Sequence, residues 1–306
     1  MKNQKPQYIL WFDEIGIEDI DLVGGKNASL GEMYQNLKKQ KVQVPSGFAI
    51  TAGAYRYVLE KTGALAALKK LLAGLDHKNS KNLSSIGKKA REIILRCEIP
   101  SDLKEEIMEA YHQLSSQYKL KNVSVAVRSS ATSEDLPTAS FAGQQETFLN
   151  VSGENELLKS CKRCFASLFT NRAIAYRCEQ NIDHLTSYLS IGVQKMVRSD
   201  LASAGVIFTL DTESGFSNVV YITGSYGLGE SVVQGTVNPD EFYVFKPTLK
   251  EGYKPIIDKI VGSKATKIIY THNKKSPIKS VKTAPAIAVK ADKKLNRRAF
   301  LTESPP

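Results

Sequence analysis

Residues 123–135 read VSVAVRSSATSED. The first nine alternate apolar with small or polar side chains and are rich in valine, the period-two pattern of a half-buried strand. Upstream, the first 120 residues alternate glycine-rich turns with helical spacing, as in VGGKNASLGEMYQNLKKQ, AGAYRYVLEKTG, ALAALKKLL, LSSIGKKAREIILRC and PSDLKEEIMEAYHQLSSQY, with VPSGFAIT as a strand among them. Pro100 followed by Ser101 reads as a break and cap between the last two helices. Downstream come SFAGQQETFLNV, LSIGVQKMV, SAGVIFTLD, NVVYITGSYG and DEFYVFKP, all strand-like. A helix-rich half followed by a strand-rich half predicts an α+β fold.

The same stretch carries chemistry. Arg128 ends an apolar strand and runs into Ser129, Ser130, Thr132 and Ser133, a cradle suited to phosphate oxygens. The alternative is a structural pair of Arg128 with Glu134 or Asp135. In FAGQQETFLN, which follows, Gly143 allows a tight turn, while Glu146 and Thr147 alternate sides of a strand. At residues 23–33, VGGKNASLGEM sets two glycines and Lys26 just before a helix, where small residues let a backbone approach an anion and the helix start offers N–H groups. It is not a Walker A loop, because the glycine spacing differs and Asn27 stands where Ser or Thr is required; a turn with a surface lysine is the alternative. In VQKMVR, residues 193–198, the strand backbone near Gln194 could read an adenine edge while Met196 and Val197 pack the ring; a core strand is the plainer reading. GSYGLGESVVQGTVNPDEF, residues 224–242, only superficially resembles a dinucleotide fingerprint, since no βαβ opening or ribose-binding acid accompanies it.

Composition narrows the classes further. The 306 residues are 42% hydrophobic and 24% charged, an ordinary globular balance. No apolar run is long enough for a signal core or a membrane span, so no membrane partner is expected. The net charge of +11 lies entirely after residue 245: residues 1–245 are neutral, and residues 246–298 hold 15 basic and three acidic side chains. Confined to one segment without a reading motif, this charge predicts a solvated tail and no specific nucleic-acid partner. Four sparse cysteines fit a reducing cytoplasm. Cys161 and Cys164 form a CxxC within ENELLKSCKRCFASLFTNRAIAYRCEQ, whose spacing reads as one long amphipathic helix with the thiols on its face.

Taken together, VGGKNASLGEM, VPSGFAIT, the segment from AVRSSATSED to TFLNV, FASLFTNRAIAYR, GVQKMVRSDLASAGVIFTLDTESGF and GLGESVVQGTVNPDEFYVFKPTL resemble the amino-terminal nucleotide-binding domain of phosphoenolpyruvate synthases. That family sits in the wider dikinase group with pyruvate phosphate dikinase and rifampin phosphotransferase. The resemblance covers roughly residues 8–270 and implies a two-lobed ATP-grasp-type fold with ATP between the lobes. The first lobe is then expected over 1–190, a partial second lobe over 191–270 and a basic, disordered tail over 271–306. It also implies that Lys26 and Arg128 bind the ATP phosphates, Arg128 being the catalytic contact, with Ser129, Gly143 and Thr147 nearby. Gln194, Met196 and Val197 would form the adenine-side strand.

The family reaction implied is conversion of ATP, pyruvate and water to AMP, phosphoenolpyruvate and phosphate through a phosphohistidine. Two family features are missing from this sequence. No Q-x-R-P-E-T-like segment occurs, and His77, His112, His184 and His272 all lack the setting of the phosphorylated histidine. The expectation is therefore an inactive amino-terminal fragment in the cytoplasm, with the Mg2+ ligands beyond Pro306 and pyruvate met only through missing domains. An antibiotic-kinase fragment of the rifampin phosphotransferase kind and an inactive nucleotide-binding remnant are the alternatives.

Overall fold

The computed structural model describes residues 7–132 and 146–270, together with the backbone of 286–290. Helix and sheet are mixed, as the α+β expectation requires, and the chain forms two units, Met1–Met196 and Val197–Pro306.

The first unit is built from β1 (Ile9–Trp11), α1 (Ile20–Leu37), β2 (Gly47–Ile50), α2 (Ala52–Lys61), α3 (Ala64–Leu72), α4 (Ser80–Arg96), α5 (Ser101–Gln117), β3 (Val125–Ala131), β4 (Thr147–Val151), α6 (Glu154–Ser167), α7 (Asn171–Glu179) and β5 (Leu189–Lys195). Its sheet has the order β1-β2-β5-β3-β4, with every pair antiparallel. Because strand side chains alternate, the register sorts them onto two faces. Phe48, Ile50, Val125, Val127, Ile191 and Val193 share one face and are buried against Leu103, Tyr111, Leu157 and Phe165 from the helices. The opposite face carries α1 and a smaller core of Leu10, Phe12, Ile15, Val23, Ala28 and Ala49.

Three expectations change here. LSIGVQKMV does not open the second lobe: β5 pairs with β2 on one side and β3 on the other, so it is the central strand of the first sheet and the unit ends at Met196. Long-range strand pairing decides that placement, which local pattern does not encode. The CxxC segment is two helices, because Thr170 accepts a hydrogen bond from the Ala173 N–H (3.2 Å) and starts α7. The buried Arg177 of α7 donates from Nη2 to Leu168 O (2.5 Å), satisfying a carbonyl at the end of α6. Finally, the break between α4 and α5 falls at Pro100 as expected, but the cap position of α5 is Pro100 itself and Ser101 is its first residue.

Cys161 and Cys164 are fully buried in the main core, and burial pushes the Cys161 thiol up to about 12 and raises Cys164 as well. Protonated thiols packed among apolar side chains fit the helix-face reading.

The second unit comprises β6 (Ser203–Phe208), β7 (Val219–Tyr226), α8 (Glu230–Val233), β8 (Asp240–Phe245), α9 (Lys246–Lys250), β9 (Ile256–Ile260), β10 (Thr266–Tyr270) and β11 (Ala286–Lys290). Strands β6-β7-β8-β9 form one antiparallel sheet and β10-β11 a two-stranded ribbon. Strand β11 thus falls within the segment expected as a tail, and part of the lysine-rich stretch is folded. Lys264 is completely buried against Asp240, also fully buried, and donates a second bond to Gly262 O (2.8 Å). A paired internal lysine is a different object from a solvated one.

Candidate functional site

The face of the first sheet that α1 crosses is lined by small and polar residues. Gly192 on β5 lies opposite Ala49 on β2 and Arg128 on β3; Arg128 in turn lies opposite Thr147 on β4. Directly opposed residues share a face, so Arg128, Thr147, Gly192, Ser130, Ser190 and Gln194 all belong to it.

The glycine turn docks onto this surface. Gly24 has φ +73°, a conformation that glycine reaches without strain, and it interrupts the helical geometry of α1. A Cβ there would stand 2.4 Å from Ser130 Oγ and 2.6 Å from Ser130 O, so the position excludes any other residue twice over. Beyond the kink, Asn27 locks the turn. Its N–H donates to Ser130 Oγ (3.2 Å), and its Nδ2 donates to Ser190 Oγ (3.0 Å), which donates to Ile50 O (2.8 Å). Gly192 makes room for that amide, since a Cβ there would lie 2.3 Å from Asn27 Oδ1. One buried asparagine therefore ties the turn to β2, β3 and β5.

Next to this staple, Lys26 is half-buried with its Nζ shielded from solvent, while Arg128 and Thr147 are exposed. A helix start, an ammonium, a guanidinium and a hydroxyl beside a surface stripped of bulky side chains form an anion-receptive arrangement. Among the described residues no cluster of three or more His, Cys, Asp or Glu could hold a metal ion. None of the described helices is long and apolar enough to cross a membrane.

Other expected residues lie elsewhere. Ser129 is on the opposite face: it is buried beside the main core and donates from Oγ to Glu146 O (3.2 Å). Strand alternation hands its expected place to Ser130, the neighbour that receives the Asn27 N–H. Gln194 is half-buried on the site face and donates from Nε2 to Pro45 O (3.1 Å). Met196 extends the ladder past β5 through its N–H to Ser124 O (2.9 Å) and closes the first unit; Val197 is 57% exposed and opens the second. Gly143, Glu134 and Asp135 lie outside the described residues. Asn27, Ser190 and Gly192 were given no binding role from sequence, and Ser130 was read only as one hydroxyl of the cradle, although period-two alternation from Arg128 would have singled it out over Ser129.

Two of the described histidines have partners of their own. His184 accepts at Nδ1 from Arg177 Nε (2.9 Å), and burial with the Arg177 charge lowers its pKa to about 4, so it is a neutral ring. His112 is half-exposed and paired with Glu154 (3.0 Å).

Comparison with known proteins identifies the family. The model of a family described as "Pyruvate phosphate dikinase, AMP/ATP-binding domain" matches residues 20–300. Phosphoenolpyruvate synthases are similar in sequence: that of Synechocystis sp. is 55% identical over 90% of this chain, that of Helicobacter pylori 52% over 90%, and that of Escherichia coli 50% over 91%. The matches cover 34%, 34% and 36% of those proteins, so the chain spans about a third of the length of the relatives. With the match running through the glycine turn, the Arg128 strand and the second unit alike, the chain belongs to the pyruvate phosphate dikinase AMP/ATP-binding domain family.

Proposed function

We propose that this chain is the ATP-binding part of a phosphoenolpyruvate synthase, an ATP-grasp-type module in a dikinase phosphotransferase. The observation that carries the reading is the Asn27 staple, which fixes the Gly24–Lys26 turn over the same sheet face that presents Arg128 and Thr147. ATP fits the donors there. The missing Cβ of Gly24 brings backbone close to the sheet, Lys26 supplies a point charge and Arg128 a planar fork for phosphate oxygens.

On this reading, Lys26 and Arg128 hold the phosphates and stabilise charge that grows during phosphoryl transfer, and Thr147 adds a hydroxyl donor. Gln194, Met196 and Val197 supply the adenine-side strand; Gln194, braced by Pro45 O, is held in place for that role. Magnesium, when bound, would neutralise phosphate charge, with its ligands lying outside the described residues. Pyruvate and the phosphohistidine belong to parts of the relatives that this chain does not match.

Calorimetric titration of ATP, ADP and AMP into residues 1–306 tests the reading. Affinity falling in the order ATP, ADP, AMP is expected, because the phosphate end carries the contacts. Equal affinity for all three, or none for ATP, contradicts it. Incubation of the chain with ATP and pyruvate is expected to yield no phosphoenolpyruvate, since no histidine of the chain has the sequence setting of the phosphorylated one.

A further inference from the structure

The second unit contains a cavity of about 600 Å3 that the ATP reading leaves unused. It lies between the short helical turn Ser199–Leu201 and strand β10. Its frame is rigid. Leu228 N–H donates to Ile268 O (3.0 Å), and a Cβ on Gly227, which has φ +85°, would lie 2.4 Å from that same oxygen. The end of β7 is thereby pressed onto β10, and β11 pairs β10 from Thr266 to Tyr270.

The polar lining is unevenly matched. Arg198 clamps Asp200 through Nε and Nη2, each at 2.8 Å, so that carboxylate is spent and its side chain is only 4% exposed. Lys267 adds a second cation with no acid left to answer it within the lining. Tyr270 is 8% exposed, and its buried hydroxyl has no hydrogen-bond partner. Burial pushes that phenol up to about 12, which keeps it a donor at neutral pH. A buried donor without an acceptor is costly, and a ligand oxygen would relieve it. The rest of the wall is mostly apolar or aromatic, with Leu201, Ala202, Ile269 and the Tyr226 ring beside Ser203.

A net positive, donor-rich lining selects an acceptor that carries negative charge. The volume is that of a small-molecule site and far exceeds the space a bare ion fills. We propose that this cavity binds a small organic oxyanion, its phosphate or carboxylate head on Lys267, the Tyr270 hydroxyl and the outer edge of Arg198, and its apolar body against Leu201, Ile269 and Tyr226. The proposal does not depend on the ATP reading, whose residues Lys26 and Arg128 belong to the other unit.

The test is ligand-observed NMR with the full chain, using phenyl phosphate, benzoate and phenol as probes. Phenyl phosphate or benzoate is expected to bind and phenol not; whichever anion binds more tightly identifies the head group. Tyr270→Phe and Lys267→Met should each weaken binding about tenfold, the loss expected for a charge-assisted hydrogen bond. Thermal unfolding of each variant establishes that it is folded, and Arg128→Met should leave the probe affinity unchanged. If neither anion binds up to about 10 mM, the proposal is overturned. It is equally overturned if phenol binds as well as phenyl phosphate, or if Arg128→Met abolishes binding while Tyr270→Phe does not.

Discussion

The two faces of the five-stranded sheet use the same strands for opposite ends. On one face, Val127, Val193 and Phe48 close against the helices with nothing exposed; on the other, Arg128, Gly192 and Ala49 leave shallow ground on which α1 and its glycine turn settle. The residues alternate one by one, so the packed core and the surface proposed for ATP share a single strand without sharing a side chain. The contrast teaches that a position's parity, more than its chemical type, decides its role here. Ser129 and Ser130 are the same residue type one step apart, and one braces the core side while the other receives the glycine turn.

Substitutions can break this contrast. The largest expected effect is Gly24→Val, which meets both the positive φ and the 2.4 Å approach to Ser130 Oγ. It should abolish ATP binding and destabilise the first unit by at least ~3 kcal/mol, read by denaturant unfolding and calorimetry. Phe165→Ala on the core face should cost a comparable ~3–5 kcal/mol yet leave the ATP affinity of the folded fraction unchanged. Asn27→Ala stands between the two. It removes the side-chain bond to Ser190 Oγ while the backbone N–H still donates to Ser130 Oγ, so a loss of ~1–3 kcal/mol with weakened ATP binding is expected.

The smallest effect concerns pH. His184 has a folded pKa of about 4, depressed from 6.5, so below neutrality the unfolded chain takes up a proton that the folded ring refuses. Stability should therefore fall as pH drops from about 6.5 to about 4 and level off below. With the ring partly open to solvent, the change should be on the order of 1 kcal/mol. His184→Gln should flatten the slope, and a slope that persists would assign it to other groups.

Much of the site face was legible in sequence because its signals are local. A glycine pair before a helix places Lys26 at a helix start, and an arginine after alternating valines is a strand residue. What was not legible depends on partners distant in the chain. Ser129 could be told from Ser130 only once β3 had neighbours, β5 could be assigned to a unit only once its pairing with β2 and β3 was known, and the lysine-rich segment hid Lys264 because its partner Asp240 lies 24 residues away. The long Cys-bearing helix broke at a threonine cap that apolar spacing alone does not reveal.

The central claim is that ATP phosphates are held on the Arg128 face of β3. Calorimetric titration of ATP into Arg128→Met and Ser129→Ala, side by side with the unchanged chain, tests it most directly. Arg128→Met should lose tenfold or more in affinity, equivalent to ~1.4 kcal/mol or above, with thermal unfolding showing that the variant is folded. Ser129→Ala should bind ATP as the parent does and lose ~1 kcal/mol of stability. Undiminished ATP binding by Arg128→Met, or its loss in a folded Ser129→Ala, would contradict the account.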